Sequence, residues 1–214
     1  MDADLMRLTD DGNPNYPPEA KPLGTRKKVV FFDMDGVLAD FVGATIRVHN
    51  LPLKHADCGW DFWTPHGLLS EEFWAPLADY HFWANLEPLP DGMDLFRRVE
   101  ATIGTDRIGL LSSGLCPGSC DGKRDWLKRH LPAYAKSAVF CTTKHLCAAP
   151  CKLLVDDHEP NVTGFIEHGG SAVLVPRPWN SRRGETCDRA LFNVDAVLRE
   201  VEQRLDASGH HPAA

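Results

Sequence analysis

The segment VVFFDMDGVLADF, residues 29–41, constrains the fold of this chain more than any other part of its sequence. Four consecutive apolar residues, typical of a strand buried on both faces, run directly into Asp33, and Asp35 follows two positions later. A buried carboxylate is costly unless a cation or hydrogen-bond donors compensate it. Two acids at a strand end can divide chemical work, since one can attack an electrophile while the other handles protons. The pattern therefore predicts Asp33 and Asp35 as catalytic residues.

A second apolar run with an acidic end lies far along the chain. The sequence KLLVDDHEPN, starting at residue 152, reaches Asp156 and Asp157 after four residues of strand character. Carboxylate oxygens are the ligands that Mg²⁺ prefers, and a bound Mg²⁺ would keep clustered acids ionised. We therefore expect a Mg²⁺ site among four acids: Asp33, Asp35, Asp156 and Asp157.

Strand and helix patterns alternate along most of the chain. Short apolar runs predict five strands, at 29–33, 107–112, 137–141, 152–156 and 171–175. Apolar periodicity and Gly or Pro punctuation predict helices at 91–103, 123–131, 160–169 and 188–205. Such alternation favours a parallel sheet covered by helices on both faces. The expected class is α/β, with a Rossmann-like three-layer parallel sheet.

Residues 42–90 interrupt this alternation with aromatic side chains and no strong strand pattern. We interpret them as a small, mostly helical cap over the carboxyl edge of the sheet, where open α/β folds bind ligands. Most of the rings would form the core of the cap, and two or three would suffice to enclose a planar ligand. The remaining expectations are a polar arm at 1–28, a core domain at 29–41 and 91–205, and a flexible tail at 206–214.

The formal charge of −7, from 23 basic and 30 acidic residues, argues against a broad surface for nucleic-acid polymers or anionic membranes. The first residues contain no apolar signal segment, so we expect a cytoplasmic protein. The basic group Lys123, Arg124, Lys128 and Arg129 is interpreted as a solvated helix face. Arg177 has two interpretations, a substrate contact or a structural ion pair.

Seven cysteines form an odd set, which disfavours a complete disulfide framework. Two C-x3-C pairs, Cys116/Cys120 and Cys147/Cys151, have a spacing that zinc could use. One pair follows a predicted strand and the other precedes one, so a parallel sheet separates them. We therefore expect most cysteines to act as small packed apolar residues.

Two further polar segments lie between the acidic strand ends. The run RIGLLS ends at Ser112, Ser113 and Gly114, whose hydroxyls and backbone N–H groups suit phosphate oxygens. Thr142, Thr143 and Lys144 follow the next strand and supply a cation. The order DMDGV, Ser, Lys144 and VDD resembles the haloacid dehalogenase superfamily of phosphohydrolases, over about residues 29 to 180.

Within that superfamily, DMDGVLADF, DFW, FWANLEPLP, LLSSG, KRDWLKRHL and LLVDDHEPN resemble the 5′(3′)-deoxyribonucleotidases and their phage and bacterial relatives. The resemblance implies that Asp33 is the nucleophile and Asp35 the acid/base residue. It implies that Ser112, Ser113 and Lys144 bind phosphate. The activity implied is Mg²⁺-dependent hydrolysis of a nucleoside monophosphate, deoxynucleotides above all, through an aspartyl-phosphate.

The resemblance also implies a base and sugar pocket formed by aromatic residues, for which the candidates are Phe41, Phe62, Trp63 and Trp83. It implies that the metal ligands are Asp33, the backbone carbonyl of Asp35, and one acid of the pair Asp156 and Asp157. A homodimer is compatible with these expectations, which do not depend on an oligomeric state.

Three departures from the relatives leave alternatives open. Thr142 stands where relatives have a basic residue, His158 stands where an Arg is frequent, and the spacing from Lys144 to Asp156 is slightly long. Lys152 is the alternative phosphate lysine, although it opens a strand and so lies far from the carboxylates. The alternative functions are a phosphatase for a sugar phosphate or a modified nucleotide, and a binding module without turnover.

Overall fold

The computed structural model describes residues 27–206 and contains a five-stranded sheet. The strands are β1 Val29–Phe32, β2 Ile108–Ser112, β3 Val139–Phe140, β4 Lys152–Asp156 and β5 Ser171–Leu174. Every pairing is parallel, in the order β3-β2-β1-β4-β5. The expected α/β class with a parallel sheet is therefore confirmed. The predicted arm and tail lie almost wholly outside the described residues.

Strand β1 lies at the centre of the sheet, because the chain adds β2 and β3 on one side of it before it adds β4 and β5 on the other. Phe32 pairs with Val155 in the neighbouring strand β4, and the backbone N–H of Asp33 donates to the Val155 carbonyl at 3.0 Å. The acidic ends of β1 and β4 therefore meet at one edge of the sheet, at the switch point where such folds bind ligands.

Helices cover both faces of the sheet, as the three-layer expectation requires. One apolar cluster joins β1 to three helices: α4 Pro90–Ile103, α5 Ser119–His130 and α7 Val194–Asp206. A smaller cluster on the opposite face joins Leu111 and Leu154 to Phe165 of helix α6, Glu159–Glu167. Alternate strand residues point to opposite faces, which is why Leu153 and Leu154 belong to different clusters.

The region predicted as a cap contains three short helices joined by loops and 3₁₀ turns. They are α1 Phe41–Val48, α2 Ser70–Trp74 and α3 Tyr80–Ala84. Four large apolar side chains, from Phe62, Phe73, Leu77 and Trp83, are buried within this region. Helix α3 packs against α5 so closely that a Cβ on Gly122 would lie 2.6 Å from the Tyr80 carbonyl oxygen. The cap is therefore fixed to the core along α5.

The final helix begins at Val194, six residues later than the sequence pattern predicts. Ala190 adopts a positive φ of 61°, and the backbone N–H of Cys187 donates to the Leu191 carbonyl, so residues 187–191 form a turn. The Asn193 side chain accepts from the N–H of Ala196 at 3.2 Å, which satisfies a donor of the first helical turn. The predicted helix start at 188 is wrong because Arg177 donates to the Ala190 carbonyl and Asp91 accepts from the Phe192 N–H, and these tertiary contacts override the apolar periodicity.

None of the helices within residues 27–206 is long and apolar enough to cross a membrane. All seven cysteines lie in this range and have free thiols.

Candidate active site

Three carboxylates converge where β1 and β4 end. Oxygen atoms of Asp33, Asp156 and Asp157 all lie within 4.8 Å of one another, and all three residues are buried. The strand polarity brings them together, because parallel neighbours present their carboxyl ends at the same edge. Three like charges this close repel one another strongly in a low-dielectric interior. The cluster therefore requires cations or hydrogen-bond donors.

Lys144 provides the cation that the protein itself contributes. It begins a 3₁₀ helix after β3, and its Nζ lies 2.8 Å from Asp33 Oδ1 and 2.7 Å from Asp156 Oδ2. Burial disfavours the charged ammonium, but the carboxylates of Asp156 and Asp33 outweigh that effect and raise the pKa of Lys144. The alternative Lys152 opens β4, where its Nζ lies over the Phe31 ring. Of the two lysines, only Lys144 contacts the acids.

Neutral donors also hold the two acids at the end of β4, Asp156 and Asp157. The backbone N–H of His158 donates to Asp156 Oδ1 at 2.9 Å, and the indole N–H of Trp179 donates to Asp157 Oδ2 at 2.6 Å. Burial raises the pKa of both acids, and for Asp157 the neighbouring charges of Asp156 and Asp33 raise it further. The ionised forms thus lack full compensation from the protein.

The cluster fits a divalent cation by charge and by donor type. Three ionised carboxylates against one ammonium leave two unmatched negative charges, and oxygen donors are the ones that Mg²⁺ and Ca²⁺ prefer. The side chain of Asp35 is not part of this group. It forms an ion pair with Lys123 instead, with Asp35 Oδ2 2.5 Å from Lys123 Nζ. The backbone carbonyl that the resemblance assigns to Asp35 stays a prediction.

Asp35 lies on the α5 side of the cluster, paired with a residue that the sequence placed on the surface. The Lys123 side chain is completely buried, so its assignment to a solvated helix face is wrong. Lys123 shares one helical face with Trp126 and Leu127, three and four residues later, and this spacing was the signal that could have placed it inside. Burial raises the pKa of Asp35, and Lys123 opposes that shift.

A cavity of about 310 Å³ lies between the carboxylates and the cap. Asp33, Asp35 and Asp157 line its floor, and Ser113 and Thr142 line its wall. The expected aromatic residues Phe41, Phe62 and Trp63 line it too, together with three that the sequence did not single out for this pocket: Trp60, Trp74 and Trp179. The cavity therefore has an acidic floor and an aromatic upper part.

Three residues expected to contact substrate do not line this cavity: Trp83, Ser112 and Lys144, of which Lys144 is buried against the acids. Trp83 is fully buried, its indole N–H donates to the Leu77 carbonyl at 2.6 Å, and its ring stacks on Phe41. Ser112 is also buried, and its hydroxyl accepts from Lys123 at 3.1 Å. Trp83 lies in the cap core because α3 packs on α5, whereas Ser112 and Lys144 are held by their contacts with Lys123 and with the acids.

Two aromatic contacts join the cap loop to the core beside the cavity. The Trp60 ring stacks on His158 with centroids 4.0 Å apart, and the His55 ring meets Trp179 edge-on at 5.4 Å. Trp60 and Trp179 also line the cavity. The position at which relatives often have Arg is thus occupied here by an imidazole that supports the cap loop.

Arg177 forms a structural ion pair with Asp91 and is not placed to contact substrate in the cavity. The guanidinium is buried, does not line the cavity, and donates to both carboxylate oxygens of Asp91, at 2.7 and 3.1 Å. Its Nε also donates to the Gly36 carbonyl at 2.6 Å, directly after Asp35. Arg177 therefore fixes the loop that carries the two acids of β1.

Comparisons with known proteins agree with this geometry. Residues 27–198 match the model of the family described as 5′ nucleotidase, deoxy (pyrimidine), cytosolic type C protein. The chain is 28% identical over 167 residues to mouse mitochondrial 5′(3′)-deoxyribonucleotidase, covering 70% of this chain and 73% of that protein. The human mitochondrial enzyme is also 28% identical, over 158 residues that cover 66% of each protein.

A solved structure gives the same fold. A HAD family hydrolase from Deinococcus radiodurans, crystallised with phosphate and sodium, superposes with a TM-score of 0.50 at 14% identity, covering 85% of this chain and 98% of that one. The family match extends over most of the chain, from before β1 into α7. The chain therefore belongs to the 5′ nucleotidase, deoxy (pyrimidine), cytosolic type C family, and is a phosphoric monoester hydrolase with the haloacid dehalogenase fold.

Proposed function

We propose that this protein hydrolyses nucleoside monophosphates, deoxynucleotides above all, through a phosphorylated Asp33. The observation that carries the proposal is the position of Asp33, which lies beside Lys144 on the acidic floor of an aromatic cavity. The floor suits a phosphate and a cation, and the aromatic upper part suits a flat base. The names of the relatives support the same substrate class.

In the proposed first step, a carboxylate oxygen of Asp33 bonds to phosphorus while the bond from phosphorus to the nucleoside oxygen breaks. Asp35 gives a proton to the departing oxygen. Lys144 balances charge beside Asp33, and Ser113 and Thr142 offer hydroxyl groups at the cavity wall. Ser112, which the resemblance also assigns to phosphate, would act from behind through Lys123.

In the second step, a water oxygen bonds to phosphorus while the bond to Asp33 breaks, and Asp35 takes the proton from that water. The products are the nucleoside and inorganic phosphate, and both acids return to their starting states. Asp33, Asp156 and Asp157 would hold Mg²⁺, which when bound supplies positive charge for the phosphate oxygens. Enclosure by the cap would exclude bulk water from both steps.

A phosphate-release assay over deoxynucleoside and ribonucleoside monophosphates, sugar phosphates and an aryl phosphate, each with Mg²⁺, tests this function. We expect kcat/KM for deoxynucleotides to exceed that for sugar phosphates, since only a base uses the aromatic walls. A preference for sugar phosphates would favour the alternative phosphatase. Absence of release from every compound would favour a binding module without turnover.

Trp63 and Trp83 should respond differently to truncation, because only Trp63 lines the cavity. Trp63→Ala should lower kcat/KM for nucleotides about tenfold or more, as stacking on a base contributes about 1–3 kcal/mol. The same variant should leave kcat/KM for a small aryl phosphate almost unchanged. Trp83→Ala should cost about 3–5 kcal/mol of stability and damage both substrates alike. Kinetics beside a melting curve separate the two, and parallel losses for Trp63→Ala would contradict its place in the pocket.

Mg²⁺ should raise the unfolding temperature of the metal-free protein, because it balances the two unmatched charges of the acidic cluster. At a hundredfold excess over its dissociation constant, a ligand stabilises by about 2.7 kcal/mol. Asp157→Asn should remove most of this shift, whereas Asp121→Asn, at an exposed site on α5, should retain it. Thermal unfolding with EDTA and with Mg²⁺ measures both, and equal shifts in the two variants would contradict the assigned ligands.

The cytoplasmic location expected from the sequence stays a prediction, and so does the homodimer that the sequence allows. Fractionation of expressing cells and sedimentation of the purified protein would test them.

A further inference from the structure

We propose that Lys123 is a positioning residue that holds the acid/base group Asp35 in place and couples it to the cap. This inference rests on the proposed function, in which Asp35 transfers the proton. Lys123 is not exposed to the cavity and does not line it, so its action on the reaction would pass through Asp35.

The ammonium group of Lys123 has three N–H donors, and three acceptor atoms lie within hydrogen-bond distance of it. Its Nζ lies 2.5 Å from Asp35 Oδ2, 2.7 Å from the Ser113 carbonyl oxygen and 3.1 Å from Ser112 Oγ. An ammonium with all donors used has little freedom to move, and burial removes water as a competing partner. The position of one carboxylate oxygen of Asp35 is thereby fixed relative to the end of β2.

The second oxygen of Asp35 is arranged differently. Within residues 27–206, Oδ1 of Asp35 is the buried side-chain oxygen or nitrogen that has no hydrogen-bond partner. Buried polar atoms are nearly always paired, so an unpaired one on a cavity residue indicates unused hydrogen-bonding capacity. Lys123 thus engages one oxygen of the carboxyl group, and the other keeps its hydrogen-bonding capacity unused.

Lys123 also contacts the cap. Its Nζ lies 4.7 Å from the ring centroid of Trp83 in α3, a distance at which a cation is attracted to the ring face. The close packing of α3 on α5 at Gly122 holds Trp83 in this position. One side chain therefore joins the acid/base residue, the end of β2 and the cap.

Replacing Lys123 by Met tests the inference, because Met keeps the length of the stem and removes the charge. With nucleotides, kcat/KM should fall about a hundredfold, within the usual range for loss of general acid catalysis. With 4-nitrophenyl phosphate, whose leaving group needs no proton, kcat/KM should fall less than about tenfold. Rapid mixing should show a burst of nitrophenolate followed by slow turnover, because hydrolysis of phospho-Asp33 still needs Asp35.

Lys128→Met provides the matched control, since Lys128 lies on the exposed face of the same helix and pairs with Asp125. It should leave both activities at the wild-type level. Lys123→Arg keeps the positive charge that pairs with Asp35. Its kcat/KM for nucleotides should therefore lie between those of Lys123→Met and the wild type. Equal losses of kcat/KM on both substrates in Lys123→Met, without a burst, would overturn the inference and leave Lys123 a purely structural residue.

An unfolding cycle over wild type, Lys123→Met, Asp35→Asn and the double variant tests the contact without any activity. Each single variant leaves one buried partner unpaired. The double variant should therefore lose less free energy of unfolding than the sum of the two single losses. Additive effects would overturn the inference. If this cycle shows coupling but the wild type releases no phosphate, the proposed function is contradicted instead; the positioning role of Lys123 is then rejected and its contact with Asp35 is kept.

Discussion

Asp33→Asn is expected to lower kcat for nucleotides by about a thousandfold or more, because the amide has the shape of the carboxylate but cannot attack phosphorus. The fold should survive, since Lys144 keeps its ion pair with Asp156 at 2.7 Å and one of three repelling charges is removed. Phosphate release measures the first effect and a melting curve the second.

The same substitution at Asp121 is the control for Asp33→Asn. Its side chain is 82% exposed on α5, so Asp121→Asn should keep wild-type turnover. Retention of more than about one per cent of activity by Asp33→Asn would exclude Asp33 as the nucleophile, because such a loss usually costs several orders of magnitude. Mass spectrometry of the wild type, quenched during turnover, should show one added phosphoryl group on the peptide that contains Asp33.

Arg177→Met is expected to destabilise the protein by about 3–5 kcal/mol, because it leaves the buried carboxylate of Asp91 without its cation. The guanidinium also donates to the carbonyl oxygens of Gly36 and Ala190, at 2.6 and 2.9 Å. These acceptors belong to the loop after β1 and to the turn before α7. Denaturant unfolding measures the loss directly.

Arg98→Met gives the matched comparison, since Arg98 pairs with Asp195 at 2.8 Å but is 40% exposed. Exposed pairs contribute about 1 kcal/mol or less, so this variant should unfold almost as the wild type does. A double variant, Arg177→Met with Asp91→Asn, should recover part of the lost stability because no buried charge remains. A loss below about 1 kcal/mol for Arg177→Met alone would contradict the buried pair.

The acids proposed for catalysis and metal binding could be located from the sequence because their positions depend on local rules. An apolar run of strand length followed by an acid places Asp33 and Asp156 at strand ends, and strand–helix alternation makes the strands parallel. Parallel neighbours share a carboxyl edge, so the convergence of the acids follows without a structure. Lys144 could be chosen over Lys152 by the same polarity, since one follows a strand and the other opens one.

The aromatic pocket could be predicted only in outline. Sequence composition places four Trp residues between 42 and 90 but does not distinguish those that line a cavity from those that form the cap core. Trp63 and Trp74 face the cavity while Trp83 is drawn against α5, where Gly122 allows close approach. Trp179 follows β5, and its indole N–H donates to Asp157. These two residues are too far apart in sequence for a local pattern to predict their contact.

The α/β class, the parallel sheet and the order of the chemical groups along the chain can all be read from the amino-acid sequence. These features follow from periodicity and chain direction, which act between residues close in sequence. Three other features are visible only in the folded protein: Lys123 is buried against Asp35, Arg177 pairs with Asp91, and Trp83 belongs to the cap core. Such pairings depend on which faces of distant helices and loops meet, and a charged side chain enters the interior only where that meeting supplies its partner.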